Sequence, residues 1–259
     1  MKNIETNQDR TKEYLKKFDR EKTIKYLVKD DCPTIFDVGA NNGSSAMEFK
    51  EWWPKSVIHC FEPQEECWND LDLLEKKYND KNIILNKYAV GNKNIKEKLF
   101  YTHDITSGQS GFNKINLNSS DSVYLDKLTK DGNETEIDNY KHILNHERIV
   151  EVQRLDNYMD KNSINKVNLL KIDTQGFEPE VLEGLGKSLS DIDVVITELM
   201  FYDYYNRSLS FSDIERYLLP SGFQLYDISH ISKNPMNGRT DWVDVIYVNN
   251  RIRKSFNKP

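Results

Sequence analysis

The 259-residue chain is 37% hydrophobic and 30% charged, enough apolar content to bury one α/β core beneath a heavily solvated surface and too much for a disordered chain. Its formal net charge of −6, with Lys and Arg interspersed among Asp and Glu, excludes a basic stripe that neutralises a phosphate backbone, so nucleic acid is not expected as a partner. No stretch reaches the roughly 18 consecutive apolar residues of a membrane helix, and residues 1–20 lack a signal-peptide core, so a cytoplasmic protein without an integral membrane segment is expected.

One domain over residues 1–259 is expected, opening with a helical extension over 1–30 in which Tyr14, Phe18, Ile24, Leu27 and Val28 recur among charges at helical spacing. The apolar run Thr34-Ile35-Phe36-Asp37-Val38 then reads as a strand that feeds a Gly/Asn-rich turn and a helix over 44–52. The unit repeats with a buried-type strand at Val57-Ile58-His59-Cys60-Phe61 and a helix over 64–78. Ile83-Ile84-Leu85 is a third short strand, Tyr88-Ala89-Val90-Gly91 reads as a turn, and residues 97–101 alternate as an exposed strand does.

Residues 102–147, rich in Asn, Ser, Asp and Lys, are too long for an ordinary loop and read as an insertion or lid. Order resumes with a strand over 149–152, a helix over 155–161, a buried strand over 167–173 and a helix after Gly176. Residues 193–198 form the next buried strand, and a Ser-capped helix runs to Leu219, where Pro220-Ser221-Gly222 ends it. The runs 223–228 and 243–248 have no helix pattern between them and read as an antiparallel hairpin. Alternating strands and helices imply an α/β, doubly wound, mostly parallel seven-stranded sheet closed by that C-terminal hairpin, with a ligand crevice at the strand C-terminal ends. Cys32, Cys60 and Cys67 form neither a CxxC pair nor an even disulfide framework, which suits a reducing compartment.

The chemistry is sought at those strand ends. In Asp37-Val38-Gly39-Ala40-Asn41-Asn42-Gly43 the glycines permit a tight turn and close backbone approach to a ligand. Asn41 occupies the second glycine position of a dinucleotide fingerprint, which weakens a NAD-dependent oxidoreductase. The acidic Asp37 suits a cationic ligand such as S-adenosylmethionine better than a diphosphate. Glu62 ends the second strand, where doubly wound cofactor folds place a carboxylate for ribose hydroxyls.

Taken together, the run 36–43, Phe61-Glu62-Pro63, and Leu169-Leu170-Lys171-Ile172-Asp173-Thr174-Gln175-Gly176-Phe177-Glu178 followed by Val181-Leu182-Glu183-Gly184 resemble the FkbM family of methyltransferases over roughly residues 31–249. Trp242 and Asp244, before the last strand, fit its closing pattern. Residues 113–147 are longer and richer in Asn than that pattern. The resemblance implies a Rossmann-like class I methyltransferase fold with S-adenosyl-L-methionine as donor. The acceptor it implies is a hydroxyl on a sugar, polysaccharide or other natural product. By position, Asp37, Gly39, Asn41 and Gly43 would meet the methionine part, Glu62 the ribose and Ala89 the adenine. Ser110, in Ser107-Gly108-Gln109-Ser110-Gly111, would lie near the methionine end or the acceptor.

Methyl transfer from a sulfonium is an in-line displacement with a neutral leaving group, so a general base on the acceptor hydroxyl is the main chemical help a protein gives. Asp173 and Glu198, ending central strands, are the leading carboxylates, with Asp173 also binding the donor; His230 and His103 are further candidates. No compact ligand spacing marks a metal, and none is expected. A saccharide, polysaccharide or glycolipid O-methyltransferase is the favoured function. A methyltransferase of small natural products and a non-catalytic S-adenosylmethionine-binding scaffold in a polysaccharide-assembly complex are the alternatives; oligomeric state is left open.

Overall fold

A computed structural model describes residues 7–78, 82–104, 106–119, 142–234 and 237–253. The first half contains α1 (Asn7–Lys17), α2 (Arg20–Leu27), β1 (Thr34–Val38), α3 (Ser44–Trp52), β2 (Val57–Phe61), α4 (Glu65–Lys77), β3 (Ile83–Asn86), β4 (Ala89–Val90) and β5 (Ile95–Thr102). The second contains β6 (His146–Gln153), α5 (Leu155–Lys161), β7 (Val167–Ile172), α6 (Glu178–Leu185), β8 (Ile192–Met200), α7 (Phe211–Leu218), β9 (Phe223–Lys233), β10 (Thr240–Asn249) and the short α8 (Asn250–Arg253).

Seven strands form one sheet in the order β3-β2-β1-β7-β8-β10-β9. The first five pair in parallel, β10 runs antiparallel to β8, and β9 runs antiparallel to β10. This is the doubly wound sheet and closing hairpin that the sequence predicts. The central strands are apolar on both faces because helices cover both. On one face Phe36, Val38, Leu170 and Ile172 pack with Leu155 of α5, Leu182 of α6 and Ile214 of α7. On the other, Ile35, Leu169 and Ile246 pack with Ile24 and Leu27 of α2, Phe49 of α3 and Leu71 of α4. Asp19 starts α2 by accepting a hydrogen bond from the Lys22 amide at 2.8 Å. No helix among the described residues is long and apolar enough to cross a membrane.

Two local expectations are corrected. Ala89-Val90 is a two-residue strand rather than a turn: it pairs in parallel with Val152-Gln153, and the Gly91 amide donates to the Gln153 carbonyl at 3.0 Å. Two apolar residues carry no periodicity, and their partner lies far along the chain, so the sequence offered no signal. Trp242 and Asp244 lie inside β10 rather than before it. β4, β6 and β5 together form a second, three-stranded sheet.

Within the expected insertion over 102–147, residues 105 and 120–141 lie outside the described residues, as do residues 1–6 of the N-terminal extension. The described parts dock on the body. Tyr101 bridges Gly111, Ile115 bridges Tyr205, and Ile115, Leu144, Tyr202, Tyr204 and Tyr205 form a third buried cluster.

Candidate functional site

The ends of β1, β2 and β7 are stitched together by backbone. The amides of Gly39 and Ala40 both donate to the Phe61 carbonyl, at 3.0 and 3.2 Å, and the Asp173 amide donates to the Val38 carbonyl at 3.0 Å. Gly39 has φ +77°, and a Cβ there would stand 1.9 Å from the Asp173 carbonyl oxygen, so no other residue fits. The next turn places Asn41 at φ +49°, a conformation Asn tolerates. Its amide donates to Glu62 Oε2 at 2.8 Å, and its Oδ1 accepts from the Asn42 amide at 2.7 Å and Ser107 Oγ at 3.0 Å. Buried Glu62 accepts on Oε1 from the Gln64 amide at 2.9 Å and Gln64 Nε2 at 3.1 Å. Burial pushes the Glu62 carboxyl up, against the pull of hydrogen bonds from Gln64 and Asn41.

These ends frame a cavity of about 390 Å³. Gly39 and Asn41 form one wall and Glu62 another; Ala89, Val90, Phe100 and Phe112 form an apolar side; Ser107, Ser110, Lys171 and Asp173 complete it. Of the residues singled out in the sequence, Gly39, Asn41, Glu62, Ala89, Ser110 and Asp173 are therefore together on its wall. Gly43 is elsewhere: at φ +83° it precedes α3, and a Cβ there would meet Leu74 and Leu71 at 2.8 and 3.0 Å, so it serves the packing of α3 on α4. Asp37 is fully buried and off the wall. Glu198 and His230 are also off it, Glu198 partly buried in β8 and His230 exposed on β9. His103 is buried, and Nδ1 accepts from the Asn145 amide at 3.0 Å; burial pushes its imidazole down to about 4, which keeps it neutral.

Lys171 is the residue that sequence reasoning passed over. Its Nζ lies 3.3 Å from Asp37 Oδ1, 3.4 Å from Asp173 Oδ2 and 3.2 Å from the Gly39 carbonyl oxygen. Burial alone would lower this ammonium; Asp37 and then Asp173 outweigh it and hold it above its ordinary value. For Asp37, burial wins over Lys171 and pushes the carboxyl up. A lysine near the end of a largely apolar strand, beside a neighbouring strand that carries an aspartate, was the available signal.

The loop after β7 is held by three further side chains. Glu178 Oε1 accepts from the Thr174 amide at 2.9 Å, Thr174 Oγ1 at 3.1 Å and the Gly176 amide at 3.3 Å. Burial raises the Glu178 carboxyl to about 7. Gln175 Nε2 donates to Asp173 Oδ1 at 2.7 Å, and its Oε1 lies 2.7 Å from the Tyr205 hydroxyl, which is also 2.9 Å from the Gln109 carbonyl oxygen. Tyr205 thus ties the two loops that flank the cavity, a role set by tertiary contact alone. Glu198 is pushed up to about 9, first by burial and then by Asp173, Glu178 and Asp244. Among the described residues no group of three or more His, Cys, Asp or Glu is arranged to hold a metal ion.

A family model described as a methyltransferase FkbM domain matches residues 37–225. Methyltransferase 1 of Beauveria bassiana (strain ARSEF 2860) is 27% identical over 175 residues, covering 65% of this chain and 65% of that protein. The 2-O-methyltransferase NoeI of Sinorhizobium fredii (strain NBRC 101917 / NGR234) is 25% identical over 203 residues, covering 76% of this chain and 75% of that protein. The crystal structure of methyltransferase FkbM from Methylobacillus flagellatus KT superposes with a TM-score of 0.50 at 15% identity, which speaks to the fold. That match covers 84% of this chain and 44% of the crystallised one. The chain therefore spans less than two thirds of the Beauveria bassiana relative and less than half of the crystallised protein.

Proposed function

The chain belongs to the FkbM methyltransferase family, and on that premise we propose that it moves the methyl group of S-adenosyl-L-methionine to a hydroxyl of a saccharide, polysaccharide or glycolipid. The observation that carries this is the convergence of Gly39, Asn41, Glu62 and Asp173 on one cavity of about 390 Å³. A 2-O-methyltransferase among the relatives supports oxygen as the methylated atom. The net charge of −6 supports an acceptor other than nucleic acid. A cytoplasmic location is part of the proposal.

The residues present fit the donor. Gly39 lines the cavity with backbone alone, and its missing side chain lets the end of β1 close on the Asp173 carbonyl beside it. Glu62 Oε2 accepts only from the Asn41 amide and keeps a lone pair for a ribose hydroxyl, while Oε1 is taken by the Gln64 amide and Nε2. Ala89, Val90, Phe100 and Phe112 offer an apolar wall for a flat base. Asp173 offers a carboxylate to a cationic amine, held in place by Gln175 and Lys171. When bound, the donor supplies an electrophilic methyl on a cationic sulfur that departs as a neutral thioether.

The protein then has to orient the acceptor and receive its proton. Asp173 orients, and Glu198, one strand over, receives, a contribution of about 10²–10⁴ in rate for a general base. His230 lies farther out, as a proton outlet to solvent. Transfer of labelled methyl to a panel of sugar hydroxyls, with small phenols and amines in parallel, tests the acceptor class. Label in the sugars is expected; label in amines or phenols alone would replace the acceptor proposed.

A further inference from the structure

Glu198 stands in a row of ionisable groups that crosses four strands. In the register of the sheet it faces Asp244 of β10, and Asp244 faces His230 of β9. On its other side Ile172 pairs with Thr197, so Asp173, the next residue of the chain, stands level with Glu198. Residues in register on adjacent strands share a face about 4.8 Å apart. The charges in this row do not cancel. Lys171, the ammonium that reaches this row among the described residues, is divided between Asp37 and Asp173, at 3.3 and 3.4 Å. Among the described residues Glu198 has no ion-pair partner of its own. Arg20 of α2, whose charge reaches Asp37 and Asp244, is spent on Glu48 at 2.6 Å. The Glu178 carboxylate of α6 adds a further like charge, and its Oε2 is buried without a hydrogen-bond partner among the described residues. The Tyr205 hydroxyl, from the loop after β8, is the neutral neighbour. Like charges at this spacing cannot all ionise, and the row ends at Asp173 on the cavity wall.

We propose that Glu198 is the group by which the site tells donor from product: it releases its proton when a sulfonium-bearing donor occupies the adjoining cavity and keeps it when the neutral thioether does. This rests on the cofactor reading above. Donor and thioether both carry the amine that Asp173 meets; only the donor adds a sulfonium, a second positive charge in the cavity on which the row ends, so Glu198 ionises only when there is a methyl group to transfer. Glu198 then takes the acceptor's hydroxyl proton as the carbon–oxygen bond forms and the carbon–sulfur bond breaks. It ends the turnover protonated beside a neutral sulfur, which is the state it held before the donor arrived.

The test is calorimetric titration of the full chain near pH 8 with S-adenosylmethionine and with S-adenosylhomocysteine, in two buffers of different ionisation enthalpy, which gives the protons released on binding. Wild type is expected to release about one proton more with the donor than with the thioether, and Glu198→Gln to bind both with no such difference. Asp244→Asn, which removes one facing carboxylate, is expected to shrink the difference, because Glu198 then ionises without the donor. Equal proton counts for the two ligands in wild type, or a difference that survives in Glu198→Gln, would overturn the inference and leave the cofactor reading standing. Failure of folded wild type to bind either ligand would overturn both.

Discussion

Lys171 and Asp37 face each other in register across β7 and β1, with Nζ 3.3 Å from Oδ1, and Asp37 is fully buried. Removing one partner of such a pair strands a charge in the core. Lys171→Met is therefore expected to destabilise the protein by about 3–5 kcal/mol, and the double variant Lys171→Met with Asp37→Asn to regain much of that loss. Urea denaturation of the two single variants and the double variant measures it; additive losses would show that the pair is not coupled.

Gly39→Ala combines a left-handed φ of +77° with a Cβ 1.9 Å from the Asp173 carbonyl oxygen. The chain end of β1 must move away from β7. A loss of more than about 1 kcal/mol is expected, together with loss of donor affinity, since the displaced loop carries Asn41. Gly43→Ala provides the contrast, because its Cβ would meet the flexible Leu71 and Leu74 rather than backbone. It should lower stability while leaving affinity closer to that of wild type.

Tyr205→Phe deletes the hydroxyl that lies 2.7 Å from Gln175 Oε1 and 2.9 Å from the Gln109 carbonyl oxygen. Losing hydrogen bonds to those half-buried acceptors is expected to cost about 1 kcal/mol. Hydrogen exchange should show faster opening in the loops around Gln109 and Gln175 and little change in β1 or β7; uniform protection would contradict the tie.

Stability should fall as pH rises through the neutral range. Native Glu178 keeps its proton up to about 7, whereas the unfolded chain releases it near 4.5. Between those values the native state binds more protons, so its stability is full below the unfolded value and is lost as pH climbs through the native one. Glu198, held up to about 9, extends the decline, more weakly because it is partly exposed. Denaturation midpoints across this range, in wild type, Glu178→Gln and Glu198→Gln, should show each substitution removing its own part of the slope.

The sheet was legible because buried strands such as Val57-Ile58-His59-Cys60-Phe61 are short apolar runs between helices of different period, and connection rules leave few ways to arrange them. That Gly39, Asn41, Glu62 and Asp173 share one cavity wall was legible because each ends or follows a strand, and a doubly wound sheet gathers those ends on one side. Gly43 shares the motif but lies off that wall, against Leu71 and Leu74, because helix packing calls for a glycine as readily as a close turn does. Asp37 and Lys171 show the same limit, since a strand-end charge reads alike whether it meets a ligand or another side chain. β4 and Tyr205 were beyond reach, one too short to have a period and the other defined by partners that only the folded chain brings near.

Titration of the purified chain with S-adenosylmethionine tests the central claim most directly, with Glu62→Ala and the gentler Glu62→Gln beside it. Saturable micromolar binding by wild type, abolished in Glu62→Ala and weakened in Glu62→Gln while both stay folded, is the predicted result. Absence of binding by folded wild type, or undiminished binding by Glu62→Ala, would contradict a donor site in this cavity.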